Sequence, residues 1–372
     1  MTQPRGIWLA APTRFAALSR RNARIALALA AALLLACFTA LTAPGPARLT
    51  DIATEAGEDH LPQRMLLENI VADMRYGSDY YTAAATELRR SNDPLKPFLA
   101  FRMPTLAVMQ AALPDGAAIA LLFLLGAGAA AAWYARLGAA FIGWQPRAFA
   151  AIMALGGLAS FARIDLIAFP EIWAAPLIAL SLAVWRTKDV TAAIAIGLCA
   201  MLIRESAVLY CAIMAAAALI EGRRREFVGW AAAILVFLLA LGFHAHAVSL
   251  VVRPLDGFTA GWPGMLGFGF FVRMAAQASA FAQLPMWLAA PLTGLSLIGW
   301  AAWRDPLGGR VFAILAGYAL LLAFICQADS CYWALIAAPV MAIGLVFAPD
   351  ALRELVARAL DRRRITVTRV VR

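Results

Sequence analysis

The sequence predicts an all-α fold, a polytopic transmembrane helical bundle of about ten spans. It places both termini in the cytoplasm and a large first loop with amphipathic helices on the opposite, periplasmic side. Three observations lead there. Hydrophobic residues make up 63% of the 372, charged residues only 15%, and the mean hydropathy is +0.77. Apolar runs long enough to span a bilayer recur from Ile25 to Phe347. Arginines cluster between those runs, as cytoplasmic loops require. The net charge of +10 therefore reads as membrane orientation. No basic stripe with interleaved aromatics points to nucleic acid. The whole chain, 1–372, reads as one integral membrane domain, with 44–103 as the first periplasmic loop and 350–372 as a basic cytoplasmic tail.

Taken in order, Arg5, Arg14, Arg20, Arg21 and Arg24 hold the N-terminus inside, and the first span runs outward over about Ile25–Ala43 as a retained signal anchor. A second span returns at about Ala117–Tyr134, with Arg136 and Arg147 inside. A single helix from Arg147 to Arg186 would be about 57 Å long at 1.5 Å per residue. That is nearly twice the ~30 Å hydrocarbon core. Two short helices joined near Arg163–Pro170 fit better. The same reasoning between Lys188 and Arg223 predicts a hairpin turning at Arg204-Glu205-Ser206. A span over about Phe227–Val248 then leads to an outer loop with Arg253, Asp256 and Arg273. Spans at about Leu284–Trp303 and Val311–Cys326, and one ending near Phe347, complete the set.

Charges left in or near the membrane collect at the outer side: Arg163, Asp165, Glu171, Arg204, Glu205 and Asp329. Such groups are costly there and face a cavity or one another. Arg204 and Glu205 are adjacent and on a helix point about 100° apart, so each needs a partner elsewhere. Arg204 with Asp165 or Glu171 is the expected pair. A buried ion pair locking two hairpins and a polar cavity are both open readings.

In the first loop, Leu61, Met65, Ile70 and Met74 recur at helical spacing, which predicts an amphipathic helix over 61–76 lying on the membrane surface. Gly77 ends it, Ser78 is the expected cap of the next helix, and Asp79 falls in its first turn, before Tyr80 and Tyr81. The helix dipole favours the carboxylate form there. Asp79 is thus either a plain helix-start acid or a general base aimed into the cavity. Pro94, Pro97 and Pro104 force an extended path back to the membrane. Lys96 and Arg102 on that path serve either as headgroup-level snorkelling residues or as phosphate ligands.

Five scattered cysteines form no metal pattern, and Cys326 and Cys331 are near enough in sequence to pair in an oxidising compartment. His60, His244 and His246 form no ligand set, and His244 and His246 read as interfacial. No nucleotide fingerprint, zinc motif or nucleophile elbow is present.

The long outer loop with Gly77-Ser78-Asp79-Tyr80-Tyr81, the stretch from Lys96-Pro97 to Arg102-Met103-Pro104, and Arg204-Glu205 ahead of short spans resemble the GT-C glycosyltransferases. The likeness is to the bacterial polyprenyl-phosphate-sugar-dependent hexosyl- and mannosyltransferases of the inner (plasma) membrane. The resemblance implies an inverting transfer from a polyprenyl-phosphate sugar donor to a lipid or glycan acceptor at the periplasmic face. Asp79 would be the catalytic base, while Lys96, Arg102, Arg163 and Arg204 would steady the lipid phosphate. Tyr80, Tyr81, Asp165, Glu171 and Glu205 complete the expected substrate-binding set. Two departures stand out. Many relatives carry paired acids where Ser78 precedes Asp79, which weakens a metal role; the resemblance makes no cofactor certain and leaves a divalent cation open. The C-terminal soluble domain of the protein-modifying branches is absent, which disfavours a protein acceptor. A transporter or lipid flippase, with broken helices around midmembrane charges, is the first alternative. A non-catalytic subunit of an envelope-polymer assembly complex is the second.

Overall fold

The structure, a computed structural model, describes residues 6–44, 63–159, 166–259, 264–325 and 333–361. All regular structure among the described residues is helical. Four helices are long and apolar enough to cross a membrane: Arg20–Leu41, Asp115–Leu137, Arg224–Val251 and Pro306–Phe324. The first comprises α1 (Arg20–Cys37) and a 3-10 turn over Phe38–Leu41. The others are α5, α10 and α13. Large apolar side chains stand exposed on them, including Leu121, Phe123 and Leu124 on α5 and Leu235, Leu238 and Leu239 on α10. In water such contiguous faces would be an aggregation surface.

Between and after them lie shorter apolar helices: α6 (Trp144–Ala159), α7 (Pro170–Val184), α8 (Thr191–Ile203), α9 (Val208–Ile220), α11 (Gly267–Gln277), α12 (Met286–Ala302) and, following α13, α14 (Trp333–Met341). Their ends follow from local chemistry. Pro170 opens α7 and Pro306 opens α13, where a missing N–H costs nothing. Asp305 caps α13 by accepting from the Leu307 N–H. Gly222 ends α9 at φ 71°, a conformation that side chains with a Cβ rarely adopt. The predicted turn at Arg204-Glu205-Ser206 is a true break: Arg204 is extended (φ −139°, ψ 112°), and a single 3-10 turn follows before α9.

Close packing fixes the crossings. A Cβ on Gly299 of α12 would lie 1.9 Å from the Gly344 carbonyl oxygen in the 3-10 stretch Ala342–Phe347. Trp300, Trp303, Phe141 and Phe347 stack around this crossing.

The loop expectation around Arg273 is corrected. Residues 267–277 form α11, which buries Phe270, Phe271, Val272 and Met274 against α12, α13 and the end of α1. The stretch read as a basic tail from residue 350 is helical at its start. It starts inside α15 (Ala348–Leu360), which packs on α1 and α12. Asp350 there is 1% exposed and accepts from the backbone N–H groups of Ile7, Trp8 and Leu9.

The first loop contains α2 (Gln63–Arg75), α3 (Tyr80–Arg90) and α4 (Thr105–Ala112). Leu66, Ile70, Tyr80, Ala84, Leu88 and Phe101 form a small core that closes on Val248 near the end of α10. Arg89 fixes this unit with two hydrogen bonds to Asp256, at 2.9 and 2.8 Å.

Candidate functional site

The loop core sets Arg102 above the helix break. Tyr80 is buried, and its hydroxyl donates to the Arg102 carbonyl oxygen at 2.5 Å. Burial pushes that hydroxyl well above the usual tyrosine range, so it remains a donor. The Arg102 guanidinium lies 3.9 Å from the Glu205 carboxylate. Glu205 in turn contacts Arg204, and Arg204 meets Glu171 at 2.8 Å with both side chains 1% exposed. Four charged groups from the loop, the break and the start of α7 therefore form one chain: Arg102, Glu205, Arg204, Glu171.

One expectation holds here and one changes. The expected Arg204–Glu171 pair is present. Arg204 and Glu205 also touch each other, contrary to the reading of adjacent residues as diverging. The 100° separation belongs to a continuous helix, and Arg204 is extended. One Glu205 oxygen, Oε2, is buried without a hydrogen bond among the described residues. A buried carboxylate oxygen without a donor is costly.

Asp79 itself caps α3, in place of the expected Ser78. Its Oδ1 accepts from the Tyr81 and Thr82 N–H groups at 3.0 and 3.1 Å. The helix starts one residue later than the spacing suggested, because the loop after Gly77 (φ 100°) first closes Ser78 N–H onto the Asp73 carbonyl. Asp79 is exposed. Hydrogen bonds from Thr82, then from the backbone, hold its carboxyl below the usual carboxylate range.

The remaining expected residues divide. Tyr81 donates to or accepts from His244 Nδ1 at 3.2 Å. Lys96 is held elsewhere: its Nζ donates to the Pro254 carbonyl at 2.9 Å and lies 5.0 Å from the Phe258 ring centre. Arg163, Asp165, Asp329, Cys326 and Cys331 lie outside the described residues. His246 is exposed, whereas His244 is 2% exposed and packs between Tyr81 and Phe98. Its position on an apolar helix gave only a weak signal, since the partner Tyr81 is 163 residues away. Among the described residues no group of three or more His, Cys, Asp or Glu side chains is arranged to hold a metal.

A second polar group escaped the sequence reading. Arg310 and Glu226, 2% and 4% exposed, pair at 2.5 Å, and Glu226 also accepts from the Trp185 indole N–H at 2.8 Å. Arg223 and Glu221 join them, and the Arg310 and Arg223 guanidinium carbons lie 4.4 and 4.9 Å from the Trp185 ring centre. This cluster ties the end of α7 to the starts of α10 and α13, away from the Arg102 group.

No protein-family model, curated protein sequence or solved structure matches the chain.

Proposed function

We propose that the chain is a membrane glycosyltransferase of GT-C type. It takes a sugar from a polyprenyl-phosphate carrier and passes it, with inversion, to a lipid or glycan acceptor. One observation carries the reading: Arg102, delivered by the first loop, meets the Glu205–Arg204–Glu171 chain at a helix break. Arg102, partly exposed and only loosely paired at 3.9 Å, offers its charge to a leaving phosphate, whose negative charge grows as the glycosidic bond breaks, while the buried Arg204 holds Glu205 and Glu171 in place. Asp79, ionised and exposed at the start of α3 in the same loop unit, takes the proton from the attacking hydroxyl.

The membrane arrangement belongs to this proposal. Arg24, Arg136, Trp185, Arg223, Asp305, Arg310 and α15 share contacts at one end of the helices. Arg102, Glu171, Glu205 and His244 share the other. In this reading the chain crosses about ten times between the two ends, with both termini on the arginine-rich side. That side is the cytoplasm and the loop side the periplasm of a bacterial inner membrane.

The test is reconstitution in liposomes with polyprenyl-phosphate-linked radiolabelled hexoses and a membrane-lipid extract. Wild type transfers label to the extract. Arg102→Ala, a partly exposed position, lowers kcat by about 10²–10³-fold, the cost of losing one electrostatic stabiliser. Unchanged transfer by that variant removes Arg102 from the reaction.

A further inference from the structure

A cleft of about 910 Å³ lies between α2, the α4–α5 junction and residues 167–168. Its size is in the range of small-molecule sites. The apolar part of the lining, its floor, is Val71, Ala72, Ala118, Ile119 and Ile167, of which Ala118 is buried. The rim is charged yet internally paired. Arg64 meets Glu68 at 2.7 Å, and Arg75 meets Asp115 at 2.6 Å. Arg75 also donates to the Gln110 and Leu113 carbonyls. Tyr76 lines the same cleft and is 91% exposed.

We infer that this cleft binds an amphiphile with a neutral, polyhydroxylated head and a long apolar chain, that is, a glycolipid. The head class follows from the rim. Each arginine already has a carboxylate, so an anionic head would have to displace one. A hydroxyl can donate to the carboxylate and accept from the guanidinium at once, leaving both pairs in place. The exposed Tyr76 ring offers an apolar face to a sugar ring and a hydroxyl to its rim. The chain class follows from the floor. Ile119 lines the cleft, and Phe123, one turn further along α5, is exposed with Leu124. An apolar chain on Ile119 therefore continues along the outward face of a helix long and apolar enough to cross the bilayer.

The cleft adjoins the charged chain through one short segment. Ile167 and Ala168 belong to the cleft, and Glu171 begins three residues later. Asp79 lies three residues beyond Tyr76, in the turn between α2 and α3. Calling the glycolipid the acceptor rests on the transferase reading; its binding does not.

The experiment uses the full chain in nanodiscs and an alkyl glucoside carrying a diazirine in its chain, with labelled peptides mapped by mass spectrometry. The expected labels fall on 71–72 and 118–119. Excess unlabelled alkyl glucoside suppresses them, and an alkyl phosphate of equal chain length does not. Tyr76→Ala weakens the glucoside's competition by about tenfold, while labelling of the outward α10 face stays unchanged. Equal suppression by alkyl phosphate overturns the head class. Labelling that no competitor suppresses, or that Tyr76→Ala leaves untouched, overturns the site. Labelling needs no turnover, so a selective cleft in a protein without transfer would sink the transferase reading alone.

Discussion

Asp79 carries two roles that substitution can separate. It caps α3 through two backbone N–H groups, and in the proposed reaction it is the base. Asn and Ser cap as well as Asp, whereas Ala does not, at a cost of about 1 kcal/mol. Asp79→Asn should therefore keep α3 folded and lose a group that accepts a proton. Removing a general base costs about 10²–10⁴-fold in rate. Asp79→Ala should lose the same rate and also loosen α3. The assay pairs sugar transfer in liposomes with hydrogen exchange over residues 80–86. The reasoning requires Asn and Ala to be equally inactive while only Ala raises exchange. Full transfer by Asp79→Asn would refute the base. So would an activity loss that follows exchange across Asn, Ser and Ala, because the residue would then matter only as a cap. The depressed pKa adds a pH condition: Asp79 is ionised at neutral pH, and its contribution falls only as pH drops below the ordinary 3.8.

Three further outcomes are expected. Glu171→Gln, which leaves the buried Arg204 with Glu205 as its one carboxylate among these groups, should destabilise the protein by about 2 kcal/mol, the scale of one hydrogen bond to a charged group; Glu171→Gln with Arg204→Met should cost less than the two single changes summed, read by thermal unfolding in detergent. The Arg89–Asp256 pair holds Asp256 far below the usual carboxylate range. Its stabilising effect is present above pH 3.8 and lost as the pH falls further, so exchange in α3 should stay flat from neutrality down to that point; a rise already at mildly acidic pH would contradict the pairing. Gly299→Ala places a Cβ 1.9 Å from a carbonyl oxygen and should cost about 3 kcal/mol, whereas Gly126→Ala on α5, with nothing within 4 Å, should be neutral or stabilising by up to about 1 kcal/mol.

The sequence made some of this legible for clear physical reasons. A helix too long for a bilayer, with Arg204-Glu205-Ser206 at its middle, had to break, and it does. Gly77 before Asp79 announced a new helix start, off by one residue. Other features depend on contacts far along the chain. The 11-residue α11 is too short and too charged, with Arg273, to register as a span, and only its packing against α12 and α13 buries it. His244 looked like any residue on an apolar helix until Tyr81 and Phe98 enclosed it. Lys96 has the composition of a phosphate ligand, but a carbonyl and an aromatic ring from the 254–258 loop take it. Arg310 and Glu226 lie just outside the expected spans, and their pairing around Trp185 joins residues 84 apart in sequence.

The measurement closest to the central claim uses purified wild type in sealed liposomes, with a polyprenyl-phosphate hexose carrying label only in the sugar. After incubation the lipids are separated and the labelled species identified. The account predicts label leaving the carrier and appearing covalently on a second lipid or glycan, with the anomeric configuration inverted. Label that stays on intact carrier while the carrier equilibrates between leaflets faster than in empty liposomes would contradict it and make the protein a flippase.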